Sequence, residues 1–216
     1  IGIVKSLGGD GGKYRRERKR AIRQVVSEIY SPPRVTAAAK LLPELRLIPG
    51  FALDLTTVNE RGEPWNFDLK VMRDEALRRV RDERPLLLVG SPMCTAFSAI
   101  QAINNIPGKR DPMIVAREKA AGRLHLEWCC YLYRKQIARG AYFLHEHPNG
   151  ATSWMEPSIL GILGLQGGLY PADAKCRHNC VESAQVLVFF IQEHALEHVH
   201  EHLEVVTALA KILYKG

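Results

Sequence analysis

The chain has 216 residues, of which 46% are hydrophobic and 25% charged, and its formal net charge is +7. Such a composition supports a buried core in one domain and excludes disorder throughout the chain. The apolar run from Val186 to Ile191 is far shorter than the roughly 18 residues of a membrane span. No signal peptide is recognisable, so we expect an intracellular protein of the nucleus or cytoplasm with no membrane partner. Because Ile1 replaces an initiating Met, we expect a processed product or a fragment.

The positive charge is concentrated near the amino terminus. Seven basic residues and one acid lie between Lys13 and Arg23, a net charge of +6. A charge run of this kind is typical of a solvated tail or a localisation signal, and also of an arm that contacts the phosphates of DNA or RNA. We therefore divide the chain into a basic arm (1–23), an α/β domain (24–167) and a helical, His-rich tail (168–216).

Strands and helices are predicted to alternate from residue 24 onward. Apolar or β-branched runs predict strands at 24–30, 47–55, 85–90 and 141–144. The stretches between them predict helices at 34–42, 69–84, 95–101 and 113–138. This order predicts a Rossmann-like, doubly wound and mostly parallel sheet with helices on both faces. Beyond Gly167 the pattern is weaker, and 181–215 is expected to form one or two helices.

Polar segments follow the ends of the predicted strands, where open α/β sheets bind their ligands. We therefore expect one shared cleft. Its expected members are Tyr30 to Pro33, Asp54, Ser91 to Ser98, and His145 to Pro148.

Cys94 lies in a turn after the third predicted strand, directly before the helix expected at 95–101. A helix amino terminus lowers the pKa of a thiol and favours the thiolate, so Cys94 is a candidate nucleophile. The alternative is an inert buried cysteine. A thiol hydrolase would additionally need the imidazole of a histidine such as His145 or His147 within hydrogen-bond reach.

Three acids are candidates for ligand contacts. Glu146 ends the fourth predicted strand, where its carboxylate can bind a polar ligand or form a structural ion pair. Asp54 follows an apolar strand, as acids do that accept hydrogen bonds from ribose hydroxyls. Asp68 follows Phe67 and could contact an adenine amino group, although acids at strand ends also cap helices.

The tail contains one further pattern. Cys176 and Cys180, followed by His194 and His198, approach the spacing of a two-Cys two-His zinc site. A solvated histidine-rich helix face is the alternative, and our main interpretation includes no metal.

The segment "PLLLVGSPMCTAFS" resembles the catalytic turn of the cytosine C5 DNA methyltransferases, and "YFLHEHP" resembles their later strand that ends in Glu-Asn-Val or Glu-Asn-Pro. The resemblance implies that the Cys94 thiolate adds to C6 of cytosine while Glu146 holds a ring nitrogen. It also implies S-adenosylmethionine as methyl donor. The implied cofactor contacts are Tyr30 and Ser31 in the first turn, Asp54 at the ribose, Asp68 at the adenine, and Ser91 with Pro92 beside the nucleophile.

A larger part of the chain, from "SEIYSPP" to "GAYFLHEHP", resembles a methyltransferase-like segment of retroelement-type polyproteins. Pro32 and Pro33 stand where the methyltransferases have a glycine loop, and proline has no N–H to donate to a cofactor. The alternative function is therefore an inactive domain that binds nucleic acid or serves as a structural part of a polyprotein.

Overall fold

A computed structural model describes residues 8, 10, 25–41, 47–98, 101, 109–148, 150–163 and 185–190. The described chain forms an α/β fold around one five-stranded sheet with the order β2-β1-β3-β4-β5. Four strands are parallel, and β5 runs antiparallel to β4. The strands are β1 (Val25–Ile29), β2 (Ile48–Leu53), β3 (Leu87–Gly90), β4 (Tyr142–Pro148) and β5 (Gln185–Phe190).

The helices connect these strands. The long helix begins where Asp111 accepts a hydrogen bond from the Met113 amide over 2.8 Å, with Pro112 at its first position. No helix in the described ranges has the length and hydrophobicity needed to cross a bilayer. The helices whose bounds lie within the described residues are α1 (Val35–Leu41), α2 (Lys70–Glu83), α3 (Pro112–Ala138) and α4 (Pro157–Leu163), with 3₁₀ turns at Thr95–Phe97 and Thr152–Met155.

The buried side chains of the described residues form two hydrophobic clusters, and successive residues of β3 contribute to them alternately. Leu88 belongs to the cluster that includes residues of α2, α3 and α4. Leu87 and Val89 belong to the cluster that includes Val35 and Ala39 of α1. This alternation follows from the two-residue period of a strand, and it buries β3 on both sides as its wholly apolar sequence predicted.

The sheet order determines where the connections diverge. The chain passes from β1 to β2 on one side and then to β3 on the other side of β1. The carboxyl ends of β1 and β3 are thus neighbours whose connections lead away from each other, the geometry at which α/β sheets open a crevice.

The predicted alternation of strands and helices is confirmed for the described residues between 25 and 148. Three differences in detail appear along the described chain. The strand expected to stop at Leu144 continues to Pro148, because residues 143–148 pair with β5. The helix expected over 181–215 is wrong at 185–190, where the β-branched and aromatic run forms that strand. In the helix expected at 95–101, Thr95–Phe97 form a 3₁₀ turn and Ser98 is extended with ψ 140°, whereas Gln101 is helical. Lys13 to Arg23 and the tail's cysteines and histidines lie outside the described residues.

Candidate functional site

Glu146 stands at the centre of a polar network at the carboxyl edge of the sheet. Its Oε2 accepts hydrogen bonds from the Ser91 hydroxyl over 2.8 Å and from Nη2 of Arg34 over 2.9 Å. The Glu146 side chain is 4% exposed, whereas that of Arg34 is 40% exposed. Oε1 of Glu146 has no partner within the described chain. The network thus joins the ends of β3 and β4 to the start of α1 and leaves one acceptor oxygen for a ligand.

A second carboxylate, that of Glu28 on β1, accepts hydrogen bonds from the first turn of α1. Its Oε2 accepts a hydrogen bond from the Ser31 hydroxyl over 2.9 Å. Its Oε1 accepts bonds from the Thr36 amide over 2.7 Å and the Thr36 hydroxyl over 2.8 Å. Glu28 and Ser31 are both fully buried. The carboxylate therefore takes an N–H group that a helix start otherwise offers to an anionic ligand.

Residues that follow Glu146 form hydrogen bonds with the main chain of the Cys94 turn, both before and after Cys94. Before Cys94, the Pro92 carbonyl accepts a bond from Nε2 of His147 over 2.8 Å. After it, the Phe97 carbonyl accepts a bond from the Thr152 hydroxyl over 3.4 Å. Cys94 itself is half-buried with a free thiol. The main chain of the turn is thus fixed around an accessible side chain.

His147 is a neutral donor in this arrangement. Its Nδ1 pairs with the buried Ser153 hydroxyl over 2.6 Å. Burial lowers the pKa of His147 to about 4, although the bond to the Pro92 carbonyl acts in the opposite direction. A neutral imidazole that donates from Nε2 accepts at Nδ1, so Ser153 is the donor there.

The nearby histidines form their hydrogen bonds with groups other than Cys94 in the described chain. Nδ1 of His145 pairs with the Tyr133 hydroxyl over 3.0 Å, and both nitrogens of His147 have other partners. Burial, followed by the proximity of His147, holds the pKa of His145 well below its usual range. No hydrogen bond within the described residues links an imidazole to Cys94, and the geometry therefore gives no support to a thiol hydrolase.

The other described cysteines differ from Cys94. Cys129 and Cys130 are fully buried on α3. Burial raises the pKa of Cys130 to about 12 and raises the pKa of Cys129 well above its usual range. Thiols held protonated in this way are poor nucleophiles.

Tyr30 and Asp68 meet in a separate chain of hydrogen bonds. The Tyr30 hydroxyl pairs with Nδ1 of His125 over 3.0 Å, and Nε2 of His125 lies 3.1 Å from Oδ1 of Asp68. Burial lowers the pKa of His125 despite the opposing effect of Asp68, and burial raises the pKa of Tyr30. A neutral His125 that donates to Asp68 therefore accepts its bond from Tyr30.

The backbone of Tyr30 is left-handed, with φ 58°, which is unusual for an aromatic residue. Its ring packs on Phe67 with a centroid distance of 4.5 Å. The hydroxyl bond and this packing hold the chain in a strained turn at the end of β1.

Asp54 lies apart from both networks. Its Oδ2 accepts bonds from the Thr56 amide over 3.1 Å and the Thr56 hydroxyl over 2.9 Å, within its own turn at the end of β2. Arg34 also donates to the Ser31 hydroxyl over 3.4 Å, so hydrogen bonds link Ser31, Ser91 and Glu146. His147 joins Pro92 to the same strand, and Tyr30 and Asp68 belong to a separate chain of bonds.

The chain matches no family model, no curated protein and no solved structure.

Sequence reasoning missed Glu28, Arg34, His125 and Ser153, which supply most of the contacts described above. Glu28 has one local signal, an acid within an otherwise strand-like run, Val25–Ile29. A charged residue in a buried strand requires hydrogen-bond partners, and its position beside Ser31 indicates where they lie. The partners of the other three are distant in sequence and leave no such signal.

Proposed function

We propose that this domain is a methyltransferase-like enzyme that methylates a nucleic-acid base, cytosine by the resemblance, through Cys94, with S-adenosylmethionine as methyl donor. The proposal rests chiefly on the 2.8 Å bond between Ser91 and Glu146. That bond ties the turn of the candidate nucleophile to the strand of the candidate base-binding acid, two segments that only the tertiary structure brings together.

The proposed fold is a doubly wound sheet with helices on both faces. Two observations support it. Val35 and Ala39 of α1 and the residues of α2 and α3 enter different hydrophobic clusters. The reversal of strand order at β1 also calls for helices on opposite faces when each crossover is right-handed.

Asp54 and Asp68 fit the adenosine part of the cofactor. Each uses one carboxylate oxygen within the protein, whereas Oδ1 of Asp54 and Oδ2 of Asp68 have no partner in the described ranges. Both can accept a hydrogen bond from a ribose hydroxyl or an amino group. The Thr36 amide is occupied by Glu28, so the methionine part would need contacts other than this amide. When bound, the cofactor supplies an electrophilic methyl group.

Cys94 and Glu146 would act on the base itself. The Cys94 thiolate forms a bond to C6 of the cytosine ring, which makes C5 nucleophilic. Transfer of the methyl group to C5 would break its bond to the cofactor sulfur and leave S-adenosylhomocysteine. The C5 proton would then pass to water, and the bond between Cys94 and C6 would break to restore the thiolate. Oε1 of Glu146 would accept a hydrogen bond from the ring edge, while Arg34 and Ser91 hold Oε2 in place. A base in a duplex must first flip out of the stack to reach such a site.

Calorimetric titration with S-adenosylmethionine and S-adenosylhomocysteine tests the proposal first. We expect saturable binding that Asp54→Ala abolishes. Asp74→Ala, which removes an exposed acid from α2, is the charge-matched control and should bind normally. Absence of binding by the folded wild-type chain would contradict the proposal.

Trapping tests the nucleophile. An oligonucleotide with 5-fluorocytosine cannot lose a proton from C5, so the enzyme should remain covalently attached through Cys94 in the presence of the cofactor. Cys94→Ser should give no adduct, while replacement of the buried Cys130 by Ser should leave adduct formation intact in folded protein.

The second candidate is an inactive domain that binds nucleic acid. The occupation of the start of α1 by Glu28 favours it, because this carboxylate competes with a cofactor for the Thr36 amide. This function predicts salt-sensitive nucleic-acid binding that survives Cys94→Ser and falls when the cations between Lys13 and Arg23 are replaced.

A further inference from the structure

The amino-terminal part of α3 extends beyond the candidate site. Gly122 packs so closely on the Cys94 turn that a Cβ atom there would lie 3.1 Å from the Ala96 methyl and from the Phe97 ring. One turn later, His125 reaches Tyr30 at the end of β1. Residues 112–121 precede both contacts and form about 15 Å of helix. All of them are exposed apart from the half-buried Val115.

This part of the chain carries an excess of positive charge. Residues 109–123 contain five basic and two acidic residues, a net charge of +3. Helix α2 also has five basic residues but balances them with four acids, a net charge of +1. The excess on α3 comes from Lys109, Arg110, Arg117, Lys119 and Arg123, against Asp111 and Glu118.

Both acids of this segment are already engaged. Asp111 caps the helix, and Glu118 pairs with Arg110 over 2.6 Å. Within the residues that the structure describes, Lys109, Arg117 and Lys119 have no acidic partner. Three cations are thus available to an external anion.

Helical spacing places one of these cations above the candidate site. Lys119 precedes Gly122 by three residues and so lies on the same face of α3, the face that packs on the Cys94 turn. Met113 and Ile114, which are 77% and 50% exposed, are three or four residues from Arg117 and offer apolar surface beside it.

We propose that residues 109–121 form a nucleic-acid contact surface around the exposed turns at the start of α3. Lys119, on the face that packs on the Cys94 turn, binds a backbone phosphate beside the base that enters the Cys94 site. Arg117 is two residues from Lys119 and therefore lies on another face of the helix, where it and Lys109 bind phosphates farther along the same strand. That the partner is a nucleic acid rests on the proposed function. Phosphate binding by this surface does not itself require methyl transfer. This surface is distinct from the basic arm at Lys13 to Arg23.

Fluorescence anisotropy with labelled single-stranded and duplex oligonucleotides over a range of salt concentrations tests the surface. The variant R117Q/K119Q removes two of the cations, and R78Q/R81Q removes the same charge from exposed positions of α2. We expect the slope of log affinity against log salt to fall by about 1.4 to 1.8 in the first variant, since each lost phosphate contact contributes about 0.7 to 0.9. The α2 variant should keep the wild-type slope.

Three outcomes would overturn the proposal. Equal losses in both variants would indicate net charge rather than a local surface. Wild-type binding by R117Q/K119Q, together with loss on neutralising the arm, would assign the contact to the arm. Absence of binding by the folded wild-type chain would remove the surface altogether. R117Q/K119Q should bind S-adenosylmethionine as the wild type does. Cofactor binding and nucleic-acid binding are thus measured independently, and a failure of the methyltransferase proposal is distinguishable from a failure of this surface.

Discussion

His147 joins the turn of Cys94 to the strand of Glu146, because its Nε2–H donates to the Pro92 carbonyl oxygen over 2.8 Å. Both of its ring nitrogens have hydrogen-bond partners, and the side chains of His147 and Ser153 are buried. The orientation of the candidate nucleophile therefore depends on a side chain that would not itself touch the base.

Two substitutions at His147 separate its two bonds. His147→Gln can keep a donor near the Pro92 carbonyl, and His147→Asn can keep an acceptor near Ser153. We expect each to lower the free energy of unfolding by about 1 to 2 kcal/mol. Only His147→Asn should release the turn and speed alkylation of Cys94 by iodoacetamide, followed by peptide mass spectrometry on folded protein. Equal alkylation rates in the two variants would show that the Pro92 bond does not position Cys94.

The buried histidines predict loss of stability in acid. His147 has a pKa of about 4 in the folded chain against a usual 6.5, so the unfolded chain takes up the proton first as pH falls. The neutral His147 therefore contributes its full share to the free energy of unfolding above pH 6.5. That share is lost as the pH falls to about 4, and the loss amounts to about 3 kcal/mol. Urea unfolding at several pH values should show a smaller loss in His147→Gln than in wild type. Parallel pH profiles for the two proteins would contradict the assignment.

Gly90 is required by the hydroxyl of Tyr133. A Cβ atom at Gly90 would overlap this hydroxyl and lie 3.0 Å from the ring carbon that bears it. We expect Gly90→Ala to lower the free energy of unfolding by about 1 to 3 kcal/mol through overpacking. Tyr133→Phe removes the overlapping atom, so the double variant should lose less stability than the sum of the single variants. Strict additivity in chemical unfolding would refute this explanation.

The Tyr30 hydroxyl should stabilise the strained turn at the end of β1. Tyr30→Phe leaves Nδ1 of His125 without its donor, and we expect a loss of about 1 to 2 kcal/mol in the free energy of unfolding. Tyr131→Phe is the matched control, since this side chain is exposed on α3 and stacks on Trp128. An equal loss in both variants would mean that the bond to His125 contributes nothing.

The sequence predicted the elements better than the contacts. Apolar runs such as 85–90 and breakers such as Gly140 are local signals, and the strands and helices that they predicted are present. Ser31 was expected to face a cofactor, yet the structure buries it with its hydroxyl on Glu28. The strand at 185–190 was also missed, although its β-branched and aromatic residues are a local strand signal. Its pairing with β4, about forty residues earlier, has no periodic signature.

By itself the sequence determined the alternation of strands and helices and the position of Cys94 after a buried strand, since both follow from local hydrophobic patterns and turn residues. The tertiary structure decided which side chains meet there. The bonds from Arg34 and Ser91 to Glu146 join residues 112 and 55 positions apart. Such contacts depend on strand order, register and side-chain rotamers, which are settled when the whole core packs.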